Sequence, residues 1–273
     1  MKIISWNIAH RDDAWRSLLD CDADVALLQE AAEPPSDVAS RFQVDPEPWF
    51  TAGVDRKRPW RTAVVGLSKR VKLEWLKPRS IDVATPGELA VSRLGTLAAA
   101  RVTTPDGIDL ELASVYAVWE RPHPTRASDW MYADGSVHRL ISDVAVLIGQ
   151  ERKHRILVAG DLNILHGYGE EGSPYWAGRY ATVFARMQAL GLPFVGPHAP
   201  HGRSGDPWPD ELPRDSTNVP TYHTHSMTPA TAQRQMDFVF ASTALVDRVT
   251  VRALNRPEEW GPSDHCRVQI ELG

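Results

Sequence analysis

Short apolar runs bounded by glycine, proline or aspartate dominate the chain. They predict β-strands at residues 2–8, 25–29, 62–67, 96–103, 109–118, 156–159, 235–241, 249–254 and 267–272. Pro105, Asp106 and Gly107, between two of these runs, read as a hairpin turn. A longer period shows at 136–148: Val137, Leu140, Ile141, Val144, Leu147 and Ile148 share one stripe and Gly149 follows as a stop, which predicts a helix. Shorter stripes predict helices at 13–19 and at 179–190, the second closed by Gly191. Most strands follow one another through turns, so many pairings are expected to be antiparallel, and the few intervening helices point to a layered α/β architecture. With no internal repeat and no dividing linker, one domain over residues 1–273 is expected. Residues 196–220, rich in Pro, Gly, Asp and Ser, read as a functional loop or flap.

Composition narrows the class. A hydrophobic content of 42% over 273 residues supports a sizeable core, and no apolar run approaches the length of a membrane span. Met1 leads straight into a strand without a secretory h-region. The two cysteines, Cys21 and Cys266, make no metal or disulfide pattern, and a cytoplasmic location is expected. The net charge of −5 counts against a protein that coats nucleic acid nonspecifically. A polyanion would have to be met by a local patch or a bound metal; otherwise the substrate is small.

Five short patterns carry the chemistry, each placing a polar residue at the end of an apolar strand, where a rigid element can aim it. They are Ser5-Trp6-Asn7; Leu27-Leu28-Gln29-Glu30; Ser114-Val115-Tyr116; Gly160-Asp161-Leu162-Asn163; and the pair Met236-Asp237-Phe238 with Ser263-Asp264-His265. Taken singly, most have a bland reading. Asn7 could cap a strand, Glu30 could start a helix, Asp161 and Asn163 could make a turn, and Asp264-His265 could be a structural pair. Asp237 is different, because an acid inside an apolar strand must be paired or exposed.

All five in this order resemble the endonuclease/exonuclease/phosphatase superfamily, and the likeness runs from Ser5 to His265. The resemblance implies a four-layer α/β sandwich: two packed mixed, mostly antiparallel sheets flanked by helices. It also implies a metal-dependent phosphoester hydrolase. A phosphodiester repels hydroxide, so hydrolysis needs a cation on the phosphate and a group that orients water in line with the leaving oxygen. By this resemblance Glu30 is the main ligand of Mg²⁺ (with Mn²⁺ as a substitute), and Asn7 and Asp264 complete the shell directly or through water. Asp161 orients and deprotonates the attacking water, and Asn163 donates to the phosphate or fixes Asp161. His265 contacts a phosphate oxygen as an imidazolium held by Asp237, and Tyr116 donates to the phosphate or leaving group. Two departures stand out. Many nucleases of the family carry a second acid where this chain has Ala9, so a single metal is expected. Arg267 stands where the family often has proline.

Around these residues lie further candidates for substrate contact. The run Arg56-Lys57-Arg58-Pro59-Trp60-Arg61 offers charge and a stacking ring, with Arg58, Trp60 and Arg61 named as contacts. Trp119, Arg121 and His123 follow Tyr116 closely, and Tyr222 and His223 follow Thr221 before the strand acid. His223 and His225 have HxH spacing without a third zinc ligand beside them, so substrate-facing or structural roles are expected. The leading expectation is a nuclease or phosphodiesterase on nucleic acid. The alternatives are a phosphatase or phosphodiesterase on a small or lipid-derived phosphate, and an inactive binding module on the same fold.

Overall fold

The structure, a computed structural model, describes every residue except Phe50, 53–56, Gly87, Pro105, 123–124, 126–129 and 149–153. His123, Arg56, the first residue of the expected turn (Pro105) and the expected helix stop (Gly149) lie outside the described residues.

The strands in chain order are β1 (Lys2–Asn7), β2 (Val25–Ala31), β3 (Gln43–Val44), β4 (Thr51–Ala52), β5 (Lys57–Arg58), β6 (Arg61–Gly66), β7 (Lys72–Leu76) and β8 (Pro78–Ser80). They continue with β9 (Leu89–Val91), β10 (Leu97–Thr103), β11 (Asp109–Tyr116), β12 (Ile156–Asp161), β13 (Phe194–Gly196), β14 (Asp237–Ala241), β15 (Val249–Leu254) and β16 (Arg267–Leu272). Among the described residues four α-helices join them: α1 (Asp12–Ser17), α2 (Ser36–Ala39), α3 (Ala133–Ile148) and α4 (Pro174–Ala189).

Two six-stranded sheets form, in the orders β15-β16-β1-β2-β6-β3 and β13-β14-β12-β11-β10-β7. Only β1–β2 and β11–β12 pair in parallel within them; the other pairings are antiparallel. The sheets pack face to face through Ile3, Val25, Leu27 and Val268 of the first and Ala100, Leu112, Leu157 and Val239 of the second. On the outer face of the second sheet, Val158 and Phe240 meet Val137, Leu140 and Ile141 of α3 and Val183 of α4. On the outer face of the first, Ile4, Trp6 and Ala26 meet Ala14 and Trp15 of α1 and Val38 of α2. The central strands are buried on both faces, which is why they read as continuous apolar runs. The result is the expected four-layer α/β sandwich. The strands β3, β4, β5, β7, β8, β9 and β13 were not expected; they are short or carry few apolar residues.

The 196–220 segment is held by hydrogen bonds at several points. Gln235 Nε2 donates to Pro197 O at 3.0 Å, Val219 N donates to Gln235 Oε1 at 3.0 Å, and Ala199 N donates to Thr217 O at 2.8 Å. Leu212 and Val219 are buried. The prolines and glycines that suggested mobility instead let the chain follow a fixed path across the edge of the sandwich. Among the described residues no helix is long and apolar enough to cross a membrane.

Candidate active site

The first sheet delivers Asn7 at the end of β1 and Glu30 near the end of β2. The second delivers a row in register, Tyr116 opposite Asp161 and Asp161 opposite Asp237. Gly160 makes that row feasible: a Cβ there would lie 1.9 Å from the Val115 carbonyl oxygen, so only glycine lets β11 and β12 approach this closely. Asp264 and His265 enter on the turn before β16, whose Ser263 Oγ donates to Asn7 O at 2.7 Å. The strand ends of both sheets therefore open on one place.

Hydrogen bonds knit these residues together. Asn7 Nδ2 donates to Asp161 Oδ2 at 3.0 Å and to Glu30 Oε1 at 3.3 Å. Its Oδ1 accepts from Ala9 N at 3.0 Å. Asn7 is thus placed as a donor to two acids. Asn163 fixes Asp161, as one branch of the expectation had it: its backbone N donates to Oδ1 at 2.9 Å and its Nδ2 to Oδ2 at 3.2 Å. The His265 ring lies between two acids, with Nδ1 at 2.8 Å from Asp237 Oδ2 and Nε2 at 3.8 Å from Asp161 Oδ2. Thr221 Oγ1 accepts from the backbone N of Met236 and of Asp237, at 3.0 and 3.1 Å, and steadies the start of β14. Asp237 Oδ1 is buried with no hydrogen-bond partner.

The electrostatics follow from burial and neighbours. Burial alone would push His265 down, but Asp237 and Asp161 more than offset it and raise its pKa to about 10, so the ring is an imidazolium at neutral pH. Burial raises Asp161 above the usual carboxylate range, the His265 charge opposes this, and Asp237 adds to it. Burial would raise Glu30 too, yet hydrogen bonds from His10, Tyr116 and Asn7 hold it below its ordinary value and ionised. Tyr116 is pushed well above 10 by burial and by the charges of Glu30 and Asp161, and stays a donor.

One member of the cluster was not foreseen. His10 Nε2 lies 3.0 Å from Glu30 Oε2, and its ring stacks on Trp60 at 5.2 Å between centroids. Trp60 stands edge-on to Tyr116 at 5.2 Å, and the Arg58 guanidinium lies 5.2 Å from the Trp60 ring centroid. Ala9, His10 and Glu30 all have positive φ, as does Asn163. Strained backbone of this kind is concentrated at functional sites.

Other expected contacts divide. Tyr222 packs on the His265 ring at 4.8 Å, and His223 N donates to Asp264 O at 3.0 Å while its ring meets Trp260. The Asp264 charge acts on His265 and Tyr222, and its Oδ1 accepts from Ser263 Oγ at 3.3 Å. Trp119 is exposed. Arg61 departs from its expected role as a substrate contact. It is buried, paired with Asp45 at 2.9 Å, hydrogen-bonded to Thr62 O and Glu47 O, and lies over Trp49. Strand alternation turns it away from the face on which Trp60 meets Tyr116.

A profile of the endonuclease/exonuclease/phosphatase family matches residues 4–265. The chain belongs to this family. It is therefore a phosphoric ester hydrolase of the nuclease and phosphatase type. Solved structures similar in fold include an AP endonuclease from Leishmania major, with a TM-score of 0.61, 16% identity and coverage of 99% of this chain and 87% of that one. The catalytic domain of Xenopus laevis APE2 gives 0.61 and 16%, covering 100% and 91%. A 3'-5' exonuclease from Neisseria meningitidis gives 0.59 and 17%, covering 100% and 99%. At these identities the likeness is one of fold. No curated protein matches the chain by sequence. Members of the family are generally dependent on a divalent metal. The carboxylate oxygens here fit a hard cation: Glu30 is ionised, and Asp161 is linked to it through Asn7 Nδ2. Among the described residues no three His, Cys, Asp or Glu side chains form a metal cage. An ion that keeps most of its water and takes one or two carboxylates suits such a site.

Proposed function

We propose that this family member is a Mg²⁺-dependent phosphodiesterase that cuts nucleic acid, with Mn²⁺ able to substitute and with the cytoplasm as its compartment. One observation carries the reading: Asn7, Glu30, Asp161, Asn163, Asp237 and His265 meet at one junction of the two sheets, in one hydrogen-bonded and ion-paired set. Glu30, with Asp161 close by and Asp264 through water, would hold the cation, which supplies charge neutralisation at the phosphate. Asp161, held by Asn7 and Asn163, orients the attacking water and takes its proton. His265, kept charged by Asp237, meets the charge that develops on a non-bridging oxygen. Tyr116 remains protonated and donates to the phosphate or to the leaving oxygen.

Nucleic acid is favoured over a compact phosphate for two reasons. The Arg58–Trp60–His10 stack beside Tyr116 provides a ring face and a cation for a base and its phosphate. Hydrogen bonds from Gln235 hold the 196–220 segment, which counts against its closing as a lid over a small ligand. The test is hydrolysis of single-stranded, duplex and abasic DNA and of RNA with Mg²⁺, beside a panel of nucleotides, sugar phosphates and inositol phosphates. Asp161→Asn should lower turnover by about 10²–10⁴-fold while the protein still binds substrate. Cleavage confined to the small phosphates would overturn the nucleic-acid reading. Undiminished turnover in Asp161→Asn would overturn the role of Asp161.

A further inference from the structure

Three arginines line one cavity at the edge of the first sheet, outside the hydrogen-bonded cluster of Asn7, Glu30, Asp161 and His265. Arg203, Arg252 and Arg256 line a cleft of about 230 Å³ with Gly202, Asn255 and Glu259. Its position follows from topology. β1 ends at Asn7 on the active-site side, β16 runs antiparallel to β1, and β15 runs antiparallel to β16. The end of β15, with Asn255 and Arg256 just beyond it, therefore opens on the same side as Asn7 and His265. One strand, β16, separates it from β1. Two strand spacings are roughly 10 Å.

The cavity is rigid and carries excess positive charge. Asn255 is fully buried, and its side chain joins the two walls: Oδ1 accepts from Arg203 N at 2.7 Å, and Nδ2 donates to Arg203 O at 2.8 Å and to Pro220 O at 2.9 Å. The Arg203 guanidinium is held by Ser204 O at 2.9 Å and Pro229 O at 2.8 Å. Neither is an acid, so the charge of Arg203 has no ion-pair partner among the described residues. Arg252 pairs with Glu259, the one carboxylate lining the cavity. Arg256 is exposed on the turn and forms no ion pair among the described residues. Arg267, the departure from the family's proline, secures this turn from below: its NH2 donates to Glu259 O at 2.7 Å and its guanidinium lies over Trp6. Three arginines against one carboxylate leave a net charge of +2 among the residues lining the cavity, in a protein whose overall charge is −5. That local excess is what a polyanion needs here.

We propose that this arginine cavity is a second phosphate subsite, which grips the backbone of a nucleic-acid strand whose scissile phosphate lies at His265. The inference rests on the nucleic-acid reading above and deepens it to a polymeric substrate. Successive backbone phosphates lie farther apart through space than the axial rise, so a separation of one to two strand spacings corresponds to a backbone phosphate about one or two nucleotides from the cut. Guanidiniums match phosphate oxygens in a planar fork.

The experiment compares the wild type, Arg256→Gln and Glu259→Gln on three substrates: a 12-nucleotide strand, a series from two to six nucleotides, and a thymidine p-nitrophenyl phosphodiester. In the wild type, KM should fall sharply once the strand is long enough to reach the cavity. Arg256→Gln should raise KM for the 12-mer roughly three- to tenfold with kcat unchanged, and leave the small diester unaffected. Its log–log salt dependence of strand binding should flatten by about 0.7. Glu259→Gln should shift binding in the opposite direction. A smooth length dependence, or an Arg256→Gln variant with unchanged KM and salt slope, overturns the subsite. So does an equal loss on the small diester. The same binding measurements by fluorescence anisotropy need no turnover. If no ester is cut, the catalytic reading fails alone, and strand affinity with its length and salt dependence still decides the subsite.

Discussion

Asn7 Nδ2 bridges the two sheets to Asp161 Oδ2 at 3.0 Å. The two residues lie on strands of different sheets and are 154 positions apart in the chain, so this bond registers one half of the sandwich against the other at the point where chemistry is expected. Asn7 is almost fully buried and uses its oxygen on Ala9 N, so its orientation is set from both ends. Asn7→Ala leaves Asp161 with the two donations of Asn163 only. A lost hydrogen bond to a charged group costs about 1.5–3 kcal/mol, and a small displacement of a catalytic group can cost about 10²-fold in rate. The expected outcome is a lower urea midpoint together with kcat reduced by about 10²-fold. A variant that loses stability but keeps its full kcat would show that Asn7 matters for packing alone.

Gly160 is the second junction. Any Cβ at this position meets the Val115 carbonyl, which is backbone and cannot rotate away. Gly160→Ala must separate β11 from β12 and move Asp161 away from Tyr116, at a cost of at least about 3 kcal/mol. Gly107, also at positive φ but with nothing within 4 Å of its Cβ position, is the control: Gly107→Ala should cost only about 1 kcal/mol. Urea denaturation of both variants gives the comparison, and similar losses would refute the close-approach explanation.

Arg58 and Arg61 are three residues apart in one basic run and have opposite fates. Arg61 is buried in an ion pair with Asp45, whereas Arg58 lies over Trp60 beside the site. Removing one partner of a buried ion pair costs about 3–5 kcal/mol. Arg61→Ala should therefore lower stability by that amount and leave the KM of the folded fraction unchanged. Arg58→Ala should raise KM for a nucleic-acid strand with little change in the urea midpoint. The reverse assignment of the two effects would contradict the structure.

These arginines also show where sequence reading reaches its limit. The strand-end acids were legible because a polar residue breaking an apolar run has few explanations, and five such breaks in one order leave fewer still. The four layers were legible through their long, doubly buried strands. What escaped was decided by tertiary contact. Arg61 alternates inward onto Asp45 and Trp49, residues of a distant turn. His10 becomes part of the site only because Ala9 and His10 take positive φ and fold the chain back over Glu30. Its sequence signal was a histidine just past a strand-end asparagine. The 196–220 segment has the composition of a mobile loop, yet Gln235 and Asn255 bind its backbone from outside the segment. Asn218 and His166 complete that anchoring and add a pH dependence of their own.

His166 Nδ1 lies 3.0 Å from Asn218 Oδ1, and Asn218 Nδ2 donates to His166 O at 2.6 Å. The ring packs among Phe184, Phe194 and Phe238. Burial lowers the His166 pKa below 6.5, and the Asn218 hydrogen bond only partly opposes this. His198, beside Phe194, is lowered by burial as well, with His166 and His201 adding to the effect. In the unfolded chain both rings bind protons near the ordinary histidine value of about 6.5, while in the folded protein they do so only at lower pH. The unfolded state therefore holds more protons in that interval, and stability rises with pH across it. Their contribution is fully present above about pH 6.5 and is lost as pH falls from there through the folded values. The two rings therefore pull the urea midpoint down between pH 7 and pH 5, while Asp161, raised to about 7, acts in the opposite sense over the same interval, so the histidine part is read from the difference between wild type and variant. His166→Gln keeps a side-chain amide for Asn218 but cannot take up the proton, so its midpoint should fall less over the same interval. If wild type and variant decline in parallel, the buried imidazole is not the group that links the anchored segment to pH.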